Sequence, residues 1–193
     1  MRLVLASRSP RRADLLTSAG YDFEVAPADI DERLLDGETP AAYVRRLARK
    51  KAALVARDHP ESIVLGADTV VVINGVVLEK PVDDADAAGM LRRLSGRTHD
   101  VLTGVALHTP NVQRCDVEST RVTFRELTAA EVAWYVGSGE PDGKAGAYAI
   151  QGRAARFITR IEGSYANVVG LPVALVDRLL RKLQESGPHS SPW

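Results

Sequence analysis

One acid stands alone in the most apolar stretch of this chain. Asp68 lies inside Ser-Ile-Val-Leu-Gly-Ala-Asp-Thr-Val-Val-Val-Ile, residues 62–73. Burying a carboxylate without a partner costs on the order of several kcal/mol. Asp68 must therefore sit at a strand end facing a cleft or pair with a cation. The candidate cations are Arg8, Arg11 and Arg12 in Ser7-Arg-Ser-Pro-Arg-Arg12, then Lys51, then Lys80. Further acids are Asp29, Asp31 and Glu32 in Ala-Asp-Ile-Asp-Glu, and Glu79 beside Lys80. Cations that cradle phosphates, carboxylates that hold a hard cation such as Mg²⁺, and a carboxylate that positions a water make a kit for phosphate chemistry.

Elements must position these groups. Leu3-Val4-Leu5-Ala6 reads as a buried strand. Ser9 as N-cap and Pro10 as first helical residue start a helix that stops at Gly20. The three arginines thus surround a helix N-terminus, where backbone N–H groups and the positive dipole end favour an anion. Helix physics prefers acids there, so the arginines oppose local stability; a solvated basic turn is the plainer alternative. Tyr21–Val25 reads as a strand, and Pro40 opens a helix to about Asp58. Val44, Leu47, Ala48 and Val55 share a face with Lys51. The lysine either snorkels at the stripe's edge or points beside Asp68.

Asn74-Gly75 signals a type I′ hairpin between Val70–Ile73 and Val76–Lys80. In ideal register Ile73 faces Val76, Glu79 faces Val70, and Lys80 faces Thr69. Asp83 caps a helix carrying Met90, Leu91 and Leu94. Thr98–His108 and Cys115–Phe124 alternate as an antiparallel pair. Thr128-Ala-Ala-Glu131 is a capping box for a helix with Val132, Trp134, Tyr135 and Val136. Residues 138–152 form a long Gly-rich stretch, of the kind that is ordered for function. Phe157–Ile161 is a strand, and Leu171-Pro172 starts a last amphipathic helix. Residues 1–187 read as one α/β domain and 188–193 as a flexible tail.

Composition narrows the class. The 193 residues carry 25 Lys plus Arg against 25 Asp plus Glu, a neutral balance that argues against broad nucleic-acid or membrane-surface binding. The single Cys115 excludes an internal disulfide framework and suits a reducing compartment or simply a chain with no use for disulfides; the default expectation is a cytoplasmic protein. The four histidines share no metal-ligand spacing. The Gly-rich stretch is not a P-loop, because Ser138 replaces its first glycine and Ala145 its Ser or Thr.

The chain carries Leu-Ala-Ser7-Arg-Ser-Pro-Arg-Arg12, Gly66-Ala-Asp68-Thr69-Val, Glu79-Lys80-Pro and Leu94-Ser-Gly-Arg-Thr-His99, followed by Glu140-Pro-x-x-Lys144-Ala-Gly-Ala-Tyr148-Ala-Ile-Gln151-Gly152 and Gly163-Ser-Tyr-x-x-Val-Val-Gly170-Leu-Pro. Together these stretches resemble the Maf family of nucleoside triphosphate pyrophosphatases. The motifs run in order from residue 3 to about 183. The resemblance implies an elongated mixed β-sheet flanked by helices, with two lobes around a central cleft, as in inosine triphosphate pyrophosphatases. It implies metal-dependent hydrolysis of a nucleoside triphosphate to the monophosphate and pyrophosphate by a cytoplasmic homodimer, with no nucleic-acid or membrane partner.

By that resemblance Asp68 is the proton acceptor, and Arg11, Thr69 and Gln151 set substrate preference. Ser7, Arg12, Lys51 and Lys80 are phosphate-cleft residues. A divalent cation, Mg²⁺ or alternatively Mn²⁺, is held by Asp68 with Asp31, Glu32 or Glu79. The Gln151-Gly152 form resembles the branch acting on dTTP and UTP. Arg8 and Ala149 depart from the family pattern without removing chemistry. The rival reading is a nucleotide-binding regulator of cell division with little turnover.

Overall fold

The structure, a computed structural model, describes residues 1–185. The predicted tail at 188–193 and the domain limit at 187 lie outside the described residues. The order is β1 (Leu3–Leu5), α1 (Pro10–Ser18), β2 (Phe23–Val25), α2 (Pro40–Ala56), β3 (Ile63–Ile73), β4 (Val76–Leu78), α3 (Asp84–Leu94), β5 (Thr98–His108), β6 (Gln113–Phe124), α4 (Ala129–Val136), β7 (Ile158–Glu162), α5 (Tyr165–Val169) and α6 (Val173–Glu185). The strands form one mixed sheet in the order β2-β1-β3-β5-β6-β7, with β4 added to β3. β1 is parallel to β2 and β3, whereas β4 and β7 are antiparallel to their neighbours. This is the α/β class with a mixed sheet expected from the sequence.

The chain divides into two compact units. The first takes Met1–Asp68, Thr103–Glu118 and the chain from Gly170 onward. Its strand β1 is buried on both faces, which is why Leu3-Val4-Leu5 is apolar without alternation. Leu3, Leu5 and Leu65 pack with Leu16 of α1 and with Leu175 and Leu179 of α6. Val4, Ala6 and Val64 pack with Ala48, Ala52 and Val55 of α2. Two glycines set how close α2 lies. A Cβ on Gly66 of β3 would stand 2.2 Å from the Ala48 carbonyl oxygen and 2.7 Å from the Ala52 nitrogen. One on Gly104 of β5 would stand 2.3 Å from the Val44 carbonyl oxygen. Backbone therefore rests on backbone, and the helix is pinned at the height that Lys51 needs. The second predicted strand is shorter than expected, because Tyr21 N–H returns to the Leu16 carbonyl at 3.1 Å to close α1 behind Gly20.

The second unit takes Thr69–Leu102 and Ser119–Val169. Its core is aromatic: the Phe124 ring meets His99, Tyr148 and Phe157 at centroid distances of 5.1, 4.9 and 6.2 Å. The hairpin pairs Val71 with Leu78, Val72 with Val77 and Ile73 with Val76, the register expected, with Asn74 and Gly75 both at positive φ. The ladder ends at Leu78, so Glu79 and Lys80 leave the sheet before they can face Val70 and Thr69. The Thr128–Glu131 capping box is formed in both directions. Trp134 is not part of the core: it lies half-exposed with the Arg156 guanidinium 4.8 Å above its ring. β7 starts one residue later than predicted, because Arg153–Phe157 winds into a 3₁₀ turn that buries Phe157.

Candidate active site

The first unit gathers its chemistry just beyond the end of β1 and at Asp68, midway along β3. Beyond β1, the Ser7 hydroxyl oxygen accepts from Ser9 N–H at 3.2 Å and from Arg12 Nη1 at 3.0 Å. Ser9 occupies the N-cap position, yet its side chain makes no cap bond; the turn is held through Ser7 instead. Arg12 also donates through Nη1 to the Ala67 carbonyl at 2.9 Å and through Nε to the Gly170 carbonyl at 2.9 Å. One buried guanidinium thus ties the β1–α1 turn, the residue before Asp68 and the entry to α6. Burial lowers the Arg12 pKa, and the charge of Asp68 works against that shift. Arg11, one residue earlier on α1, is half-buried.

Asp68 takes the paired alternative. Lys51 Nζ donates to Asp68 Oδ1 at 2.6 Å and lies 2.6 Å from Glu32 Oε1. Lys51 and Asp68 are only 7% and 8% exposed, which rules out the snorkelling alternative for the lysine. The buried ammonium is bracketed by two carboxylates, one of them, Glu32, more open to solvent. Residues four apart stack on a helix, so Tyr43, Leu47 and Lys51 form one stripe of α2. Tyr43 uses its hydroxyl to hold the Glu32 carbonyl at 2.6 Å. Arg46 grips Glu38 with Nε and Nη2 at 2.7 and 2.6 Å and reaches the Arg33 carbonyl at 3.0 Å. Helix α2 therefore holds both Lys51 and the acidic loop that supplies Glu32. Sequence reasoning passed over Tyr43 and Arg46; the stripe through Lys51 was the available signal for Tyr43.

The two acids of that loop part ways. The exposed Asp31 is engaged by Arg33, whose Nη2 donates to Oδ2 at 2.7 Å and whose Nε reaches both oxygens. These bonds hold the Asp31 carboxyl down at about 2. Asp31 thus serves the loop, and Glu32 joins Asp68. Among the described residues no group of three or more His, Cys, Asp and Glu side chains is arranged to hold a metal. Two carboxylates nonetheless suit Mg²⁺, which binds through one or two such groups and takes its other oxygens from phosphates and water.

The second unit carries the remaining candidates. Thr69 is half-buried on β3, while Glu79, Lys80 and Gln151 are exposed. The Glu79 carbonyl accepts from Gly146 N–H at 3.1 Å, which ties the Gly-rich stretch to the hairpin. A Cβ on Gly146 would stand 2.7 Å from Val71 Cγ2, so only glycine fits. Buried Ala147 follows at a φ of 60°, a backbone strain on the order of 1–3 kcal/mol of the sort concentrated at functional loops. Tyr148 hydroxyl and His99 Nε2 share a 2.8 Å hydrogen bond. Burial drives the His99 pKa to about 4, leaving a neutral ring.

The Maf-like protein family model matches residues 2–183. A dTTP/UTP pyrophosphatase of Koribacter versatilis (strain Ellin345) is 54% identical over 182 residues, covering 94% of this chain and 94% of that one. A dTTP/UTP pyrophosphatase of Anaeromyxobacter dehalogenans (strain 2CP-C) is 51% identical over 196 residues, covering 99% and 98%. Among solved structures, the Staphylococcus aureus Ham1 protein matches with a TM-score of 0.56 at 14% identity, over 95% of this chain and 100% of that chain, a likeness of fold alone. With a family model spanning nearly the whole chain and relatives above half identity, this chain belongs to the Maf-like protein family.

Proposed function

We propose that this protein hydrolyses dTTP and UTP to the nucleoside monophosphate and pyrophosphate. The observation that carries the reading is the buried Lys51 ammonium held between Glu32 and Asp68, which stands midway along β3. The close relatives named for this activity support it. Asp68 accepts a proton from a water whose oxygen attacks the α-phosphorus. The bond from that phosphorus to the α–β bridging oxygen breaks, and pyrophosphate leaves with the electron pair. Asp68 and Glu32 are the residues that would hold Mg²⁺ or Mn²⁺. When bound, that ion supplies charge neutralisation for the phosphates and acidifies its water.

Lys51 and Arg11 bind phosphate oxygens, as does Lys80 of the second unit. Arg12 and Ser7 shape the turn that presents backbone N–H groups to an anion. Thr69 and Gln151 recognise the nucleotide. Asp31 keeps the acidic loop in place through Arg33, and Glu79 holds the Gly146 loop through its carbonyl. The enzyme acts in the cytoplasm as a homodimer, which sedimentation would test. No helix of the described residues is long and apolar enough to cross a membrane.

The deciding measurement is pyrophosphate release from dTTP, UTP and other nucleoside triphosphates with and without Mg²⁺. Asp68→Asn should lower kcat by about a hundredfold or more. Near-normal release by that variant would sink the assignment of Asp68. Binding of dTTP without release would favour the regulator reading.

A further inference from the structure

Gln151 is exposed between buried Ile150 and half-buried Gly152, and something must hold it still. In the second unit that work falls to two side chains from α4 and the loop after it. Glu140 Oε1 accepts from the Tyr135 hydroxyl at 2.7 Å and from Ala154 N–H at 3.4 Å. Its Oε2 accepts from Arg153 N–H at 2.9 Å. The Tyr135 hydroxyl oxygen in turn accepts from Ala149 N–H at 3.2 Å. Residues on both sides of Gln151 are therefore fastened to one Tyr–Glu pair, and Gly152 N–H closes the turn on the Ala149 carbonyl at 3.1 Å. The pair is itself braced: Ser138 Oγ donates to the Tyr135 carbonyl at 2.6 Å and accepts from Glu140 N–H at 3.3 Å.

Two further facts point the same way. A Cβ on Gly152 would stand 2.4 Å from Glu140 Oε1, so glycine next to Gln151 is what lets the carboxylate seat. Burial alone would raise the Glu140 carboxyl, but the bonds from Arg153 N–H and Tyr135 outweigh it and the group titrates below the ordinary glutamate range. An ionised carboxylate offers only acceptors, which is what three donors require. A carboxamide would turn an N–H toward at least one of them.

We propose that Glu140 and Tyr135 are positioning residues that fix the backbone around Gln151 and thereby set selectivity among nucleoside triphosphates. The inference rests on the reading of Gln151 as a substrate contact. Glu140→Gln, Tyr135→Phe, Gln151→Ala and the double variant Glu140→Gln/Gln151→Ala are compared for kcat and KM on dTTP, UTP, dCTP and dATP, with thermal melts of each. Glu140→Gln and Tyr135→Phe should each raise KM for dTTP and UTP by about tenfold, the size of one lost charge-assisted or buried hydrogen bond. Selectivity over dCTP and dATP should fall by a similar factor, with kcat changed much less. The double variant should be no less selective than Gln151→Ala, because the clamp acts through that residue.

Tyr135→Phe keeps the buried ring and carries the test if Glu140→Gln does not fold. Unchanged selectivity in Gln151→Ala would overturn the reading of Gln151 and the proposal with it. Altered selectivity in Gln151→Ala with none in the two clamp variants would overturn the clamp alone. Equal losses on every substrate, tracking the melting temperature, would reduce the pair to a stabilising role and also overturn it.

Discussion

The two units bury different kinds of polar group. Among the described residues every buried Arg, Lys and Asp (Arg12, Lys51 and Asp68) belongs to the first unit. The buried polar groups of the second unit, His99, Thr120 and Asn167, carry no formal charge. Asn167 donates to the Val101 carbonyl and to Thr120 Oγ1 at 2.9 and 3.0 Å, knitting α5 to the sheet. Buried charge is expensive unless paired, and an uncharged network does the same mechanical work at lower cost. The first unit therefore carries charge that chemistry needs. The second unit keeps its own charged candidates, Glu79 and Lys80, at the surface.

The lysines offer the strongest way to break this contrast. Lys51→Met removes the partner of a buried carboxylate and should cost about 3–5 kcal/mol of stability. Lys80→Met, at an exposed site, should stay within about 0.5 kcal/mol while still raising KM for the triphosphate. Denaturant titration of both variants decides it; equal stabilities would mean that Lys51 and Asp68 are not held as a buried pair. Glycines give the next effect. Gly66→Ala drives a methyl into the backbone of α2 and should cost about 3 kcal/mol. Gly75→Ala meets nothing within 4 Å and carries only the penalty of its φ of 75°, about 1–2 kcal/mol.

The third test uses acid. A histidine whose folded pKa lies near 4, below its unfolded value of 6.5, binds fewer protons folded than unfolded between those limits. Its contribution is therefore complete above about pH 6.5 and is lost as pH falls towards 4. From pH 7 to pH 5 the loss should be about 2 kcal/mol, read by urea titration at the two values. His99→Gln should flatten that difference; an unflattened profile would place the acid sensitivity elsewhere. Asp31→Asn should have the smallest effect, changing pyrophosphate release by less than about twofold, because the Asp31 side chain is exposed and spent on Arg33. A hundredfold loss would return Asp31 to the metal site.

Much of this was legible in the chain, and the reason lies in reach. Capping boxes, the Asn74-Gly75 turn and helix stripes depend on residues within a few positions of one another, so local rules found them. The hairpin register followed from turn type and held, while its length did not, because nothing local showed that Gly146 would take the Glu79 carbonyl. Helical spacing left open which of the four α4 residues lie inside: Val132, Tyr135 and Val136 are buried, whereas Trp134 is at the surface under the Arg156 guanidinium.

The sequence by itself determined the element order, the set of candidate cations for Asp68 and the family. Tertiary structure decided which cation met which acid. Lys51 and Asp68 are 17 residues apart, and Arg12 reaches Gly170 across 158. The close packing of the α2 backbone against Gly66 and Gly104 brings Lys51 to Asp68. It also decided that Glu32, not Asp31, faces the lysine. Neighbouring acids of nearly equal chemistry differ only in the direction that a folded loop points them, and that direction comes from Tyr43, Arg46 and Arg33.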